Sequence, residues 1–166
     1  AEAGGGADGA RVGLVGMMAS FAHELPLNAG IVNAATLRAG CAPSLGAFGC
    51  ARGVCGLLSA LARGELGVSA REVGEPSGVE DSRLYGDRLW GRGLQRYDCR
   101  GGSESHVLGL HSFGGSFAFL CPRSGLSVAI LLNDCQLDYS ATRRILDLVA
   151  EETRIGTPDF LGAGLF

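Results

Sequence analysis

Residues 105–132 read SHVLGLHSFGGSFAFLCPRSGLSVAILL, and this stretch decides the fold. Ser105–Leu110 is one candidate strand, and Ser116–Cys121 is another, which alternates and is rich in phenylalanine, the chemistry of strands. Residues 122–125, PRSG, place proline first and glycine last in a four-residue turn, which predicts an antiparallel hairpin. Leu126–Leu132 is a continuous apolar run, as expected of a strand covered on both faces.

Working outward, Trp90–Asp98 is a further candidate strand, with Gly91 and Gly93 loosening its start. Downstream, Ser140 is a candidate N-cap for a closing helix whose apolar face is Ala141, Ile145, Leu148 and Val149. Arg143, Arg144, Asp147, Glu151 and Glu152 take its solvent side, and Gly156 with Pro158 ends it. Upstream, Val54, Leu57, Leu58 and Leu61 fall at i, i+3, i+4, i+7, one face of a helix that begins near Ala51 and stops at Gly64. Gly53 and Gly56 inside it cost about 1 kcal/mol each against alanine, which suggests a close neighbouring backbone. Asn28 can cap an earlier helix through Arg38, and residues 69–87 read as a surface loop. Helices, then consecutive strands, then a packing helix describe an α+β domain with an antiparallel sheet.

Composition narrows the chemistry. The 166 residues suffice for one domain with a core, and the formal net charge of −3 leaves no nucleic-acid footprint or polybasic membrane patch. All 14 basic residues are arginine. A P-loop lysine, a Schiff-base lysine and a Ser-Lys catalytic pair are therefore impossible within these residues. Cysteines at 41, 50, 55, 99, 121 and 135 form no C-x-x-C pair and sit mostly among apolar residues, which predicts buried free thiols. Val12–Ala22 is apolar for 11 residues, too short for a membrane span and without a charged secretion start beyond Arg11. Residues 1–24 read as a loosely packed start, and an intracellular chain without cofactor or metal is expected.

Within the deciding stretch, LHSFGG (110–115) is one residue from the nucleophile elbow Gly-x-Ser-x-Gly. An elbow needs a helix directly after Ser112 and a histidine base further on. Phenylalanine-rich strand sequence follows instead, and His23, His106 and His111 all precede Ser112. Ser112 thus reads as a strand-end residue. His106 and His111, five apart on one strand, point to opposite faces and do not share a metal.

HSFGGSFAFLCPRSGLSVAILLND (111–134) resembles the paired C-terminal strands of the serine β-lactamase-like family, which includes class C β-lactamases, esterases and D-aminopeptidases. LNAGIVNAATLRAGCAPSLGAFGCARGVCGLLSALARGEL (27–66) looks like the family's helical segment, and LWGRGLQRYD (89–98) is similar to the strand returning to the sheet. The order of the pieces matches over residues 25–155, and the ending ILDLVAEETRIGTPDF (145–160) is similar to β-lactamase-like domains fused to atypical quinone-biosynthesis-type kinases.

The resemblance implies a β-lactamase/transpeptidase-like fold, incomplete at its N-terminal side. Residues 25–156 would form the C-terminal part of the domain, with 157–166 as a tail. It implies hydrolysis of a small or peptide-like ester or amide by a Ser-x-x-Lys nucleophile, with Tyr-x-Asn assisting. Neither motif occurs here, so the chain is expected to be inactive alone; the alternative is a non-catalytic binding or regulatory module beside a kinase domain. The family's third motif reads His-Ser-Gly-x-Gly-Gly-Ser, whereas this chain has His111, Ser112, Phe113, Gly114, Gly115 and Ser116, one residue fewer. Aligned on the left, His111 takes the basic position; aligned on the right, it takes the hydroxyl position, and the slip reverses the face each side chain occupies. His111, Ser112, Gly114, Gly115 and Ser116 are the cleft candidates, with an oxyanion N–H expected from Phe113–Ser116.

Overall fold

A computed structural model describes residues 33–40, 47–75, 89–112, 114–133 and 139–159. The chain divides into two compact units, Ala1–Ala47 with Leu165–Phe166 and Phe48–Gly164. The first contains helix α1 (Ala35–Ala39), shorter than the expected Asn28–Arg38 helix, whose first residues lie outside the described ones. The expected loose start at 1–24 also lies outside them, as do the end of the tail from 160 and the 76–88 part of the expected surface loop.

In the second unit, α2 (Ala51–Ala62) and α3 (Ala70–Gly74) precede strands β1 (Gln95–Arg100), β2 (His106–His111), β3 (Phe117–Leu120) and β4 (Ser127–Ile130). Helix α4 (Ser140–Thr153) and the two-residue strand β5 (Thr157–Pro158) follow. The sheet order is β4-β3-β2-β1-β5, with every pair antiparallel. The α+β class and antiparallel sheet expected from the sequence are therefore present. The PRSG turn is where it was expected: Gly125 N–H donates to the Cys121 carbonyl at 2.9 Å, closing the β3–β4 hairpin.

Two apolar clusters occupy the two faces of the sheet. Tyr97, Val107, Phe117, Phe119 and Cys121 pack with Leu146 of α4, Tyr139 and Ile155. Leu108 and Leu120, with partly buried Ala118, pack with Leu58 and Leu61 of α2 and Ala70 of α3. Strand alternation explains the partition, because successive side chains leave opposite faces of the pleat. Helices on both sides make β2 and β3 buried on both faces, whereas β1 alternates between buried Gln95 and Tyr97 and exposed Arg96 and Asp98.

Several local expectations are corrected. The continuous apolar run at 126–132 is an edge strand, half-buried along most of its length, with Leu131 44 % exposed. Strand β1 begins at Gln95, and Trp90 reaches it only through a single bridge. Residues 70–74 are helical, started by a capping box in which Ser69 Oγ accepts from Glu72 N–H and the Glu72 carboxylate accepts from Ser69 N–H. No backbone approaches the Cβ positions of Gly53 and Gly56, and Leu57 is 59 % exposed. Ser140 is the first helical residue of α4 rather than its cap, which is Tyr139 in the left-handed region at φ +53°. The buried face of α4 is Thr142 and Leu146 with Val149 beside them; Ala141, Ile145 and Leu148 face outward.

Candidate functional site

The sequence places its candidates on the connection between β2 and β3, and the structure builds a tight hairpin there. His111 pairs with Phe117 as the last ladder rung. Beyond it, Ser112 N–H donates to the Ser116 carbonyl at 2.7 Å, and Gly115 N–H donates to the Ser112 carbonyl at 3.2 Å. Gly115 closes the turn at φ +88°, as glycine does in three-residue hairpin loops. A Cβ there would lie 3.2 Å from Tyr139 and 3.3 Å from Leu132 and Thr142, so the missing side chain also lets α4 close on the hairpin. The Thr142 hydroxyl, completely buried, donates to the Gly115 carbonyl at 2.5 Å. Ser116 Oγ accepts from Leu132 N–H at 2.9 Å, tying the hairpin to the residues after β4.

These contacts sort the candidates. Ser116 and Gly115 are structural anchors. Ser112 is exposed, and Gly114 is half-buried. Phe113 lies outside the described residues. His111 turns to the α4 face, where its Nδ1 lies 2.8 Å from the Tyr97 hydroxyl and the rings meet edge-on at 5.9 Å. Tyr97 in turn donates to Gln95 Oε1 within the core. A phenol has a single proton, so with that proton directed at Gln95 the His111 contact is an Nδ1–H donated to the phenol oxygen. The backbone N–H groups of Ser112 and Gly115 are both satisfied inside the turn, so neither is an oxyanion donor in this conformation.

His106 lies at the other end of β2 and on the other face, beside Leu108, so the expected separation of the two histidines is present. Burial, then the nearby Arg96 charge, holds the His106 imidazole below its ordinary pKa. Ser105 Oγ lies 3.0 Å from His106 Nδ1, a serine–imidazole contact that the spacing arguments missed because the two residues are neighbours in sequence. This end of the sheet also forms a groove of about 450 Å³ between α3, β1, β2 and the β3–β4 turn. A smaller hollow of about 340 Å³ lies between α4 and β5, where Arg100 and Arg143 face Asp147 and Asp159 in equal number.

Among the described cysteines, Cys121 is buried, Cys99 and Cys55 are half-buried, and Cys50 is exposed, contrary to the buried thiol expected there. Cys41 and Cys135 lie outside the described residues. Burial pushes the Cys99 thiol up to about 11 and the Cys121 thiol to about 12, with Glu104 adding to both. No group of three or more His, Cys, Asp or Glu side chains among the described residues can hold a metal ion, and no described helix is long and apolar enough to cross a membrane. No family model, curated protein or solved structure matches the chain.

Proposed function

We propose that residues 25–156 form the sheet-bearing part of a β-lactamase-like acyl-transfer domain whose attacking serine and lysine are not among these residues, and that the chain by itself hydrolyses nothing by a Ser-Lys route. The observation that carries this reading is the His111–Ser116 hairpin: it joins two central strands, exposes Ser112 at its tip and is followed by the Pro-x-x-Gly hairpin and a helix on the same sheet. That order resembles the family's third motif and the strands after it. The substrate implied is a small or peptide-like ester or amide, held against the hairpin by residues supplied from elsewhere.

A second reading is favoured by the closed turn. With Ser112 and Gly115 N–H groups already bonded, the hairpin suits a binding or regulatory module, including one joined to a kinase domain, better than an oxyanion hole. Incubating the purified chain with a fluorophosphonate and with a β-lactam, then measuring intact mass, tests the shared prediction of no adduct. A covalent adduct on Ser112 or Ser105 overturns both readings. The coding sequence upstream of Ala1 separates them: Ser-x-x-Lys followed by Tyr-x-Asn supports hydrolysis, and their absence supports the module.

A further inference from the structure

We propose that the groove at the His106 end of β2 binds a small organic oxyanion, a carboxylate or phosphate carried on an apolar body. It is separate from the hairpin of the proposed cleft: His106 opens β2 and His111 closes it, so about 17 Å of strand lies between them at ordinary strand rise.

Its walls are Arg71 on α3, Arg96 on β1, His106 and Leu108 on β2, and Pro122 with Arg123 on the turn after β3. Three arginines thus line one hollow from three separate elements. Their existing bonds leave donors to spare. Arg71 uses Nε on Glu75 at 3.2 Å, Arg96 uses Nε on Asp98 at 3.3 Å, and Arg123 gives one Nη to the Ser103 carbonyl at 3.1 Å. Each guanidinium has five N–H donors in a fixed fork that matches two oxygens of a carboxylate or phosphate. Arg71 and Arg96 already face carboxylates, whereas Arg123 meets only a carbonyl, so of these three it is the one without a carboxylate partner among the described residues. The single acid lining the groove, Glu75, is engaged by Arg71.

The floor is apolar, and α3 comes down onto it closely. A Cβ on Gly74 would stand 2.5 Å from Leu108 Cδ1, so glycine permits this approach and sets the width of the groove. A head group between Arg96 and Arg123 would leave its apolar body against half-buried Pro122. Salt-bridge strength and apolar burial then act on the same ligand, the usual makeup of a small-molecule site.

The test is a titration of the full 166-residue chain, ¹⁵N-labelled, with phenylacetate, phenyl phosphate and, as a neutral control, benzyl alcohol. Saturable shifts of the Gly74, Arg96 and His106 amides with either anion, and none with benzyl alcohol, support the site; the tighter anion names the head group. Arg123→Gln is expected to weaken binding about tenfold, the effect of losing a charge-assisted hydrogen bond. Arg52→Gln, on the exposed side of α2, is expected to change nothing. Where Arg123→Gln disturbs the spectrum of the free chain, Arg123→Lys keeps the charge, loses the fork and is expected to bind several-fold more weakly. Absence of saturable shifts with both anions, equal shifts with benzyl alcohol, or unchanged affinity in both Arg123 variants overturns the proposal.

Discussion

The Thr142 hydroxyl donates to the Gly115 carbonyl across 27 residues of chain, at 2.5 Å. The bond fixes the first turn of α4 against the β2–β3 hairpin in a place with no solvent access. Thr142→Val keeps the side-chain volume and leaves the Gly115 carbonyl without this donor, at a cost of about 1–3 kcal/mol. A urea titration is expected to show a lower midpoint with an unchanged slope, the sign of lost stability without a change in compactness. An unchanged midpoint would mean that the hairpin is not held by α4.

Two glycines with similar backbones separate strain from crowding. Gly115 and Gly125 both close hairpin turns at positive φ, +88° and +73°. Alanine in that region costs roughly 1–2 kcal/mol at either position. Open space surrounds the Cβ position of Gly125, whereas that of Gly115 meets Tyr139, Leu132 and Thr142 within 3.3 Å. Gly115→Ala is therefore expected to lower the melting temperature more than Gly125→Ala. Equal losses would show that the α4 packing yields freely around the hairpin.

The same contacts explain what the sequence could and could not reveal. Strand β3 was legible because its alternation and phenylalanine content survive burial on both faces, and the PRSG turn after it carries its own chemistry. The face of α4 was not legible. Ala141, Ile145 and Leu148 make an apolar stripe at helical spacing, but the helix instead turns Thr142 and Leu146 inward. A threonine outranks an isoleucine there because its hydroxyl finds the Gly115 carbonyl, a long-range partner that no local pattern encodes. Helix α3 was legible in principle, since Ser69 and Glu72 spell a capping box, but its five residues are too few for a periodic signal. For the site, separation of the two histidines followed from strand geometry, while the groove depends on three arginines distant in sequence.

Thiol reactivity is expected to follow position in the fold. Cys121 has no exposed surface, and burial raises its pKa to about 12; Cys99 is half-buried and raised to about 11. Thiolate is the reactive form, so both are slow at neutral pH. Cys50 lies exposed at the start of α2. Brief iodoacetamide treatment of the folded chain followed by peptide mass mapping is expected to find Cys50 alkylated before Cys99, and Cys121 last among the described cysteines. Early modification of Cys121 would place β3 outside the core.

His106 gives stability a pH dependence whose sign follows from its surroundings. Its pKa in the folded chain lies below the ordinary 6.5, chiefly through burial and next through Arg96, against the opposing pull of Asp98 and Glu104. Arg71, Arg123 and Glu75 share its groove. As pH falls below 6.5 the unfolded chain takes up this proton first, so the His106 contribution to stability declines until the folded pKa is reached and is constant below it. Above 6.5 both states hold the imidazole neutral, and the contribution is fully present. Melting temperatures measured from pH 7.5 to 5 should fall more steeply for the natural chain than for His106→Gln. The difference between the two curves isolates this group from the other histidines. Parallel curves, or a steeper fall in the variant, would show that the imidazole is solvated and that β2 does not close against α3 as described.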